Sequence, residues 1–104
     1  MSFQQEPNGY EKTALSDLQG AWENLRANVV EQLPFPEWAR LLFHIDEGMS
    51  WESVRNLDSM KAALLIIHNI ANQADVPPDI VEWINTVWSN LEEVVAAIAE
   101  GEIR

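Results

Sequence analysis

The residues with the best claim to chemistry are the two histidines. His44 stands two and three positions ahead of Asp46 and Glu47. An imidazole beside carboxylates is the raw material of a metal site or an acid–base pair. A metal site, however, needs three or four converging ligands, and no further ligand lies near in sequence. His44 therefore reads as a histidine at a helix C-terminus, where its positive form is favoured. His68, between Ile67 and Asn69 on an apolar segment, reads as a hydrogen-bonding group at the edge of a helical bundle. A nucleophile needs an orienting partner, yet Ser16, Ser50, Ser53, Ser59 and Ser89 all read as helix caps or polar-face residues. There is no Gly-rich phosphate loop and no His-Glu-x-x-His or Glu-x-x-His spacing. The sequence predicts a protein that is not an enzyme and carries no cofactor or metal.

Charge is the stronger signal. The chain holds 17 acidic and 6 basic residues, a net charge of -11. No Lys or Arg occurs from Ala62 to Ile103, a stretch with seven carboxylates: Asp75, Asp79, Glu82, Glu92, Glu93, Glu100 and Glu102. Upstream, acids precede bases by three in Glu23/Arg26, Glu37/Arg40, Glu52/Arg55 and Asp58/Lys61. Residues three apart on a helix are neighbours, so these cations are expected to be matched locally. The C-terminal acids are left over. Such a charge repels duplex DNA, RNA and anionic lipid, which argues against direct binding to nucleic acid or a membrane surface, and it favours a basic protein surface.

The five tryptophans add anchoring capacity. Trp22 and Trp88 fall in apolar stripes and are expected in the core, whereas Trp38, Trp51 and Trp83 are divided between core and interface. An aromatic ring among carboxylates suits a partner-binding patch, because Trp dominates interface energetics while surrounding charge steers encounter. The expected patch is Asp79, Glu82, Trp83 and Thr86, extended by Glu92, Glu93 and Glu100, with Trp51 as a further anchor. The acids from Asp79 to Glu100 span about 32 Å of helix, over which duplex DNA carries roughly 19 charges. The helix alone reaches about a quarter of that density. Mimicry of nucleic acid would need Asp46, Glu47, Glu52 and Asp75 to fold alongside.

These residues require a helical scaffold. No strand-period segment of useful length occurs, and apolar residues recur at three and four, so the expected fold class is all-α, a compact bundle of four to five helices. Residues 1–12 are polar, contain Pro7 and the turn pair Asn8-Gly9, and are expected to form a flexible N-terminal tail before a single domain at 13–104. The first helix is expected to start near Thr13 or Ser16, with Ser16 and Gln19 as a capping box. Its core face is Leu15, Leu18, Trp22, Leu25, Val29 and Leu33, and Pro34 stops it. A second helix follows Pro36, lined by Phe35, Trp38, Leu42 and Ile45, with Gly48 expected at its end. Ser50 is expected to cap a short piece reaching Leu57. A third helix runs from Asp58 or Ser59 to about Ala74. Met60 to Ala71 is apolar on nearly all sides and is expected to be buried all round.

After the corner Val76-Pro77-Pro78-Asp79, the last helix is expected to reach Glu100 with Gly101 terminating it. Its expected core stripe is Ile80, Ile84, Val87, Trp88, Leu91, Val94, Val95 and Ile98. Cysteine is absent, so no disulfide or thiolate site arises. The start, Met-Ser-Phe-Gln-Gln-Glu-Pro, lacks the basic and apolar regions of a secretory signal, and no apolar run approaches the ~20 residues that span a bilayer. A cytoplasmic location is expected. The functional expectation is a non-catalytic interaction factor that occupies a basic surface on a partner, such as a nucleic-acid-binding site. By compositional analogy alone, inhibitors of this build include phage and plasmid proteins that block defence machinery. The alternative is a helical homodimerisation or adaptor module using Leu65, Ile66, Trp83 and Val87, its acidity serving solubility.

Overall fold

The computed structural model describes the backbone of residues 9–101 and the side chains of residues 14–101. Four helices account for nearly all of it: α1 (Gly9–Glu31), α2 (Trp38–Ser53), α3 (Leu57–Gln73) and α4 (Pro78–Ala99). No strand occurs among the described residues. The tail expected at 1–12 lies outside the described residues as far as position 8. From Gly9 the backbone is helical.

Helix α1 corrects the expected capping box. Ser16 and Gln19 lie in its interior and are exposed. Three-residue spacing on a polar face produces the same pattern as a box, and nothing upstream to Gly9 breaks the helix. The buried face is Ala14, Leu18, Ala21, Trp22, Leu25 and Val29. Helix α2 corrects the position of Gly48, which is buried mid-helix rather than at an end. A Cβ built on Gly48 would lie 2.4 Å from Trp22 Cη2 and 2.9 Å from Cζ2 and Cζ3. Glycine is required there because the buried indole lies against the α2 backbone, not because the chain turns.

No fifth helix exists at Ser50–Leu57. Helix α2 continues through Ser53, then Arg55 adopts a left-handed conformation (φ 58). Asn56 caps α3, its side-chain oxygen accepting from Ser59 N–H at 3.1 Å. At the last corner Pro77 is the N-cap and Pro78 sits in the first turn, where a missing N–H costs nothing. As expected, Gly101 ends the helical stretch in the left-handed region (φ 81), its N–H donating to the Ile98 carbonyl at 3.0 Å.

Packing follows a ring. Helix α1 lies mainly on α4 and α2 mainly on α3, and the two pairs meet through α1–α2 and α3–α4. Among the described residues no Cα atoms of α1 and α3, or of α2 and α4, approach within 8 Å. A ring has no central helix, which corrects the expectation that α3 is buried all round. Met60, Ala63, Leu64, Ile67 and Ile70 face inward, while Leu65 and Ile66 are 47% and 38% exposed. In α4, Ile80, Ile84, Val87, Leu91, Val94 and Ala97 are buried. Val95 and Ile98, expected in that stripe, are exposed. Each fully buried Leu or Ile contributes about 1.5–3 kcal/mol, so this shared interior holds the four helices together.

Local charge pairing is sparser than the spacing suggested. Arg40 Nη1 pairs with Glu37 Oε1 at 3.2 Å, as expected. Arg26 instead reaches across from α1 to Asp46 of α2, Nε to Oδ1 at 2.7 Å. No ion pair joins Lys61 to Asp58 among the described residues. No described helix is long and apolar enough to cross a membrane.

Candidate protein interaction site

Helix α4 presents Asp79, Glu82, Thr86, Glu93 and Glu100 at spacings of three, four and seven. These intervals put them on one side of a helix, and all five are exposed. No ion pair reaches the four acids among the described residues. Asp79 lies in the first turn, where the helix dipole favours a carboxylate. Glu100 is the C-cap at the opposite end, where it does not. None of the four helices places a basic residue in its last turn. No basic residue in the last turn of α4 offsets Glu100 at its C-cap.

Trp83 borders this stripe. It is half-buried, packs on the core, and opens onto a shallow groove of about 290 Å³ between α4 and α1. Thr86 and Asn90 line the α4 side, and Asp17, Gly20 and Asn24 line the α1 side. Thr86 Oγ1 donates to the Glu82 carbonyl at 3.0 Å and Asn90 Nδ2 to the Thr86 carbonyl at 2.9 Å. Both side chains thus brace α4 itself. The small Gly20 and Ala21 leave room beside the indole. Asp17 adds a carboxylate to the patch that sequence reasoning missed, since only the docking of α1 on α4 brings it there.

The other expected site residues separate from this patch. Glu92 lies off the stripe and accepts from Trp88 Nε1 at 3.0 Å. Trp88, expected in the core, is only partly buried. It lines a recess of about 320 Å³ with Leu65, His68 and Asn85. Its polar N–H draws one edge of the ring to the surface, as is usual for indoles. Trp51 lies on α2, which is not a neighbour of α4 in the ring, in an open recess of about 630 Å³. The structure thus gathers Asp79, Glu82, Trp83, Thr86, Glu93 and Glu100 on one helix, attaches Glu92 to a neighbouring face, and sets Trp51 elsewhere. Val87 is fully buried, as its place in the core stripe predicts, which removes it from the apolar face of the alternative dimerisation reading.

The histidines do not converge with other ligands. His44 Nδ1 meets Glu47 Oε1 at 2.9 Å, and His68 Nδ1 meets Asn72 Nδ2 at 3.3 Å. No group of three or more His, Asp or Glu side chains placed to hold a metal ion occurs among the described residues. The perturbed carboxyl is Glu52, on α2. Burial raises its pKa above the usual value, Arg55 opposes the shift, and the charge of Glu23 on α1 adds to it.

No protein-family model matches this chain, and comparison with curated proteins and with solved structures gives no match. The functional reading therefore rests on the chain's own surface.

Proposed function

We propose that this protein is a non-catalytic interaction factor that binds and blocks a basic surface on a partner protein, such as a nucleic-acid-binding site, as an inhibitor or antagonist acting in the cytoplasm. The observation carrying this reading is the exposed α4 stripe of Asp79, Glu82, Glu93 and Glu100, which has no ion-pair partner in the described structure and lies in a sequence stretch without Lys or Arg. Asp17 and Trp83 extend it across the α1/α4 groove. Unmatched carboxylates on one face accelerate encounter with a basic surface. The half-buried indole, fixed by the core behind it, supplies an anchor with little left to order on binding. Solubility alone does not ask for so much charge, since a net magnitude of ~2–8 serves a small domain.

The test is capture. The tagged protein is incubated with a lysate of its source, washed at low and then high salt, and the retained proteins are identified by mass spectrometry. A basic nucleic-acid-binding protein should be held at low salt and released as salt rises. Glu82→Lys combined with Glu93→Lys should weaken that capture by about tenfold or more with helicity unchanged. Retention equal to the parent would overturn the reading. Salt-resistant recovery of only a second copy would instead favour the dimerisation module, whose apolar face would be Leu65 and Ile66 on α3.

A further inference from the structure

We infer that the outer face of α2 is a second docking site, and that its occupant is a cationic amphipathic helix of about three turns on a partner protein. This stands apart from the α4 reading, because α2 packs on α3 and α1 and none of its Cα atoms comes within 8 Å of one in α4. Phe43 and Val54 are each 66% exposed, more than any other large apolar side chain among the described residues. They lie eleven residues apart, Phe43 on α2 and Val54 at its C-cap, with Glu47 and Ser50 between them at intervals of four, three and four that follow one helix face. That stripe is about 16 Å long at 1.5 Å per residue. It opens into the recess of about 630 Å³ that also holds Trp51.

The chemistry of the occupant follows from the rim. Asp46 flanks one side of the stripe, held from α1 by Arg26 through one carboxylate oxygen at 2.7 Å. Glu47 stands within the stripe, fixed by His44 at 2.9 Å. No Lys or Arg is among the described residues lining the recess. Exposed Phe and Val ask for apolar side chains at matching helical spacing. Glu47 within the stripe, which no Lys or Arg pairs among the described residues, asks for Lys or Arg beside those apolar residues, and the net charge of -11 rejects an acidic helix. A second copy of this chain, at -11, is the wrong charge for this face.

The probe is a synthetic amphipathic peptide of Leu and Lys, about fourteen residues long, titrated into the full chain by isothermal calorimetry beside a scrambled peptide of the same composition. The amphipathic peptide should bind more tightly than the scrambled one, and rising salt should weaken it. Phe43→Ser with Val54→Ser should reduce affinity at least about tenfold. Both residues are surface-exposed, so helicity should persist. Glu47→Lys should also weaken binding and flatten its salt dependence, which tests the same face without touching an apolar group. Leu65→Ser with Ile66→Ser on α3, which removes exposed apolar groups elsewhere without changing charge, should leave binding unchanged. Equal binding of the scrambled peptide, indifference to the α2 variants, or sensitivity to the α3 variant would overturn the inference.

Discussion

Gly48→Ala places the packing of α2 on α1 under direct test. In an exposed helix interior the change stabilises by roughly 0.5–1 kcal/mol, because alanine has less backbone freedom to lose. Here the new Cβ would stand 2.4 Å from Trp22 Cη2, against ~3.5–4.0 Å for carbon atoms in contact. The indole must therefore retreat by more than ~1 Å. Trp22 is only 1% exposed and sits in the common core, so it cannot swing into solvent. Overpacking of this kind costs about 1–3 kcal/mol, and the rigid ring argues for the upper part of that range. Set against the helix gain, the net loss is about 1–2 kcal/mol. That corresponds to a fall in Tm of roughly 4–16 °C for a domain of this size.

The assay is urea and thermal unfolding followed by circular dichroism, with two companions. Gly20→Ala is the control: it is also inside a helix, but a Cβ there meets nothing within 4 Å. It should stabilise by about 0.5–1 kcal/mol. Trp22→Phe removes the ring atoms that clash. Because the buried Trp22 Nε1 has no hydrogen-bond partner among the described residues, this variant deletes no hydrogen bond. Combined with Gly48→Ala it should recover stability, with a coupling of at least about 1 kcal/mol. If Gly48→Ala stabilised as much as Gly20→Ala, the indole would not lie on the α2 backbone, and the reasoning would fail.

Two further substitutions test local electrostatics and capping. Burial raises the Glu52 pKa above its usual 4.5, so the folded state holds that proton more tightly than the unfolded chain. Stability from this group is therefore greatest in acid and is lost as pH rises from the unfolded value through the raised folded one. Glu52→Gln should be more stable than the parent at pH 7, with the difference vanishing in acid below the usual carboxyl range; pH-dependent urea midpoints decide it, and an equal gain at both ends would remove ionisation as the cause. Asn56→Ala deletes the cap on Ser59 N–H and should cost about 1 kcal/mol in urea unfolding, whereas an unchanged midpoint would mean that Asn56 does not hold the start of α3.

What the sequence determined by itself was the helical fold class, the main core stripes and the uneven distribution of charge. Leu18, Trp22, Leu25 and Val29, like Ile80, Ile84, Val87, Leu91 and Val94, are both periodic and buried, because helical spacing is a local property. The acids of α4 could be aligned for the same reason. Tertiary structure decided whatever depended on a second helix. Gly48 looked like a stop because glycine often ends helices. Only the approach of Trp22 from α1 makes it a packing residue, and no feature near Gly48 in sequence shows that ring. Arg26 pairs with Asp46 rather than with an acid on its own helix, a choice between α1 and its neighbour that spacing within one helix cannot make.

The same limit governed the surfaces. Leu65, Ile66, Val95 and Ile98 are apolar enough for a core but remain exposed. A ring of four helices gives each helix only two neighbours, so one side of each faces outward. Asp17 joins the Trp83 patch and Trp51 leaves it because α1, not α2, packs on α4. Composition set how much charge and apolar surface the chain carries. The order of helices around the ring determined which of those residues meet.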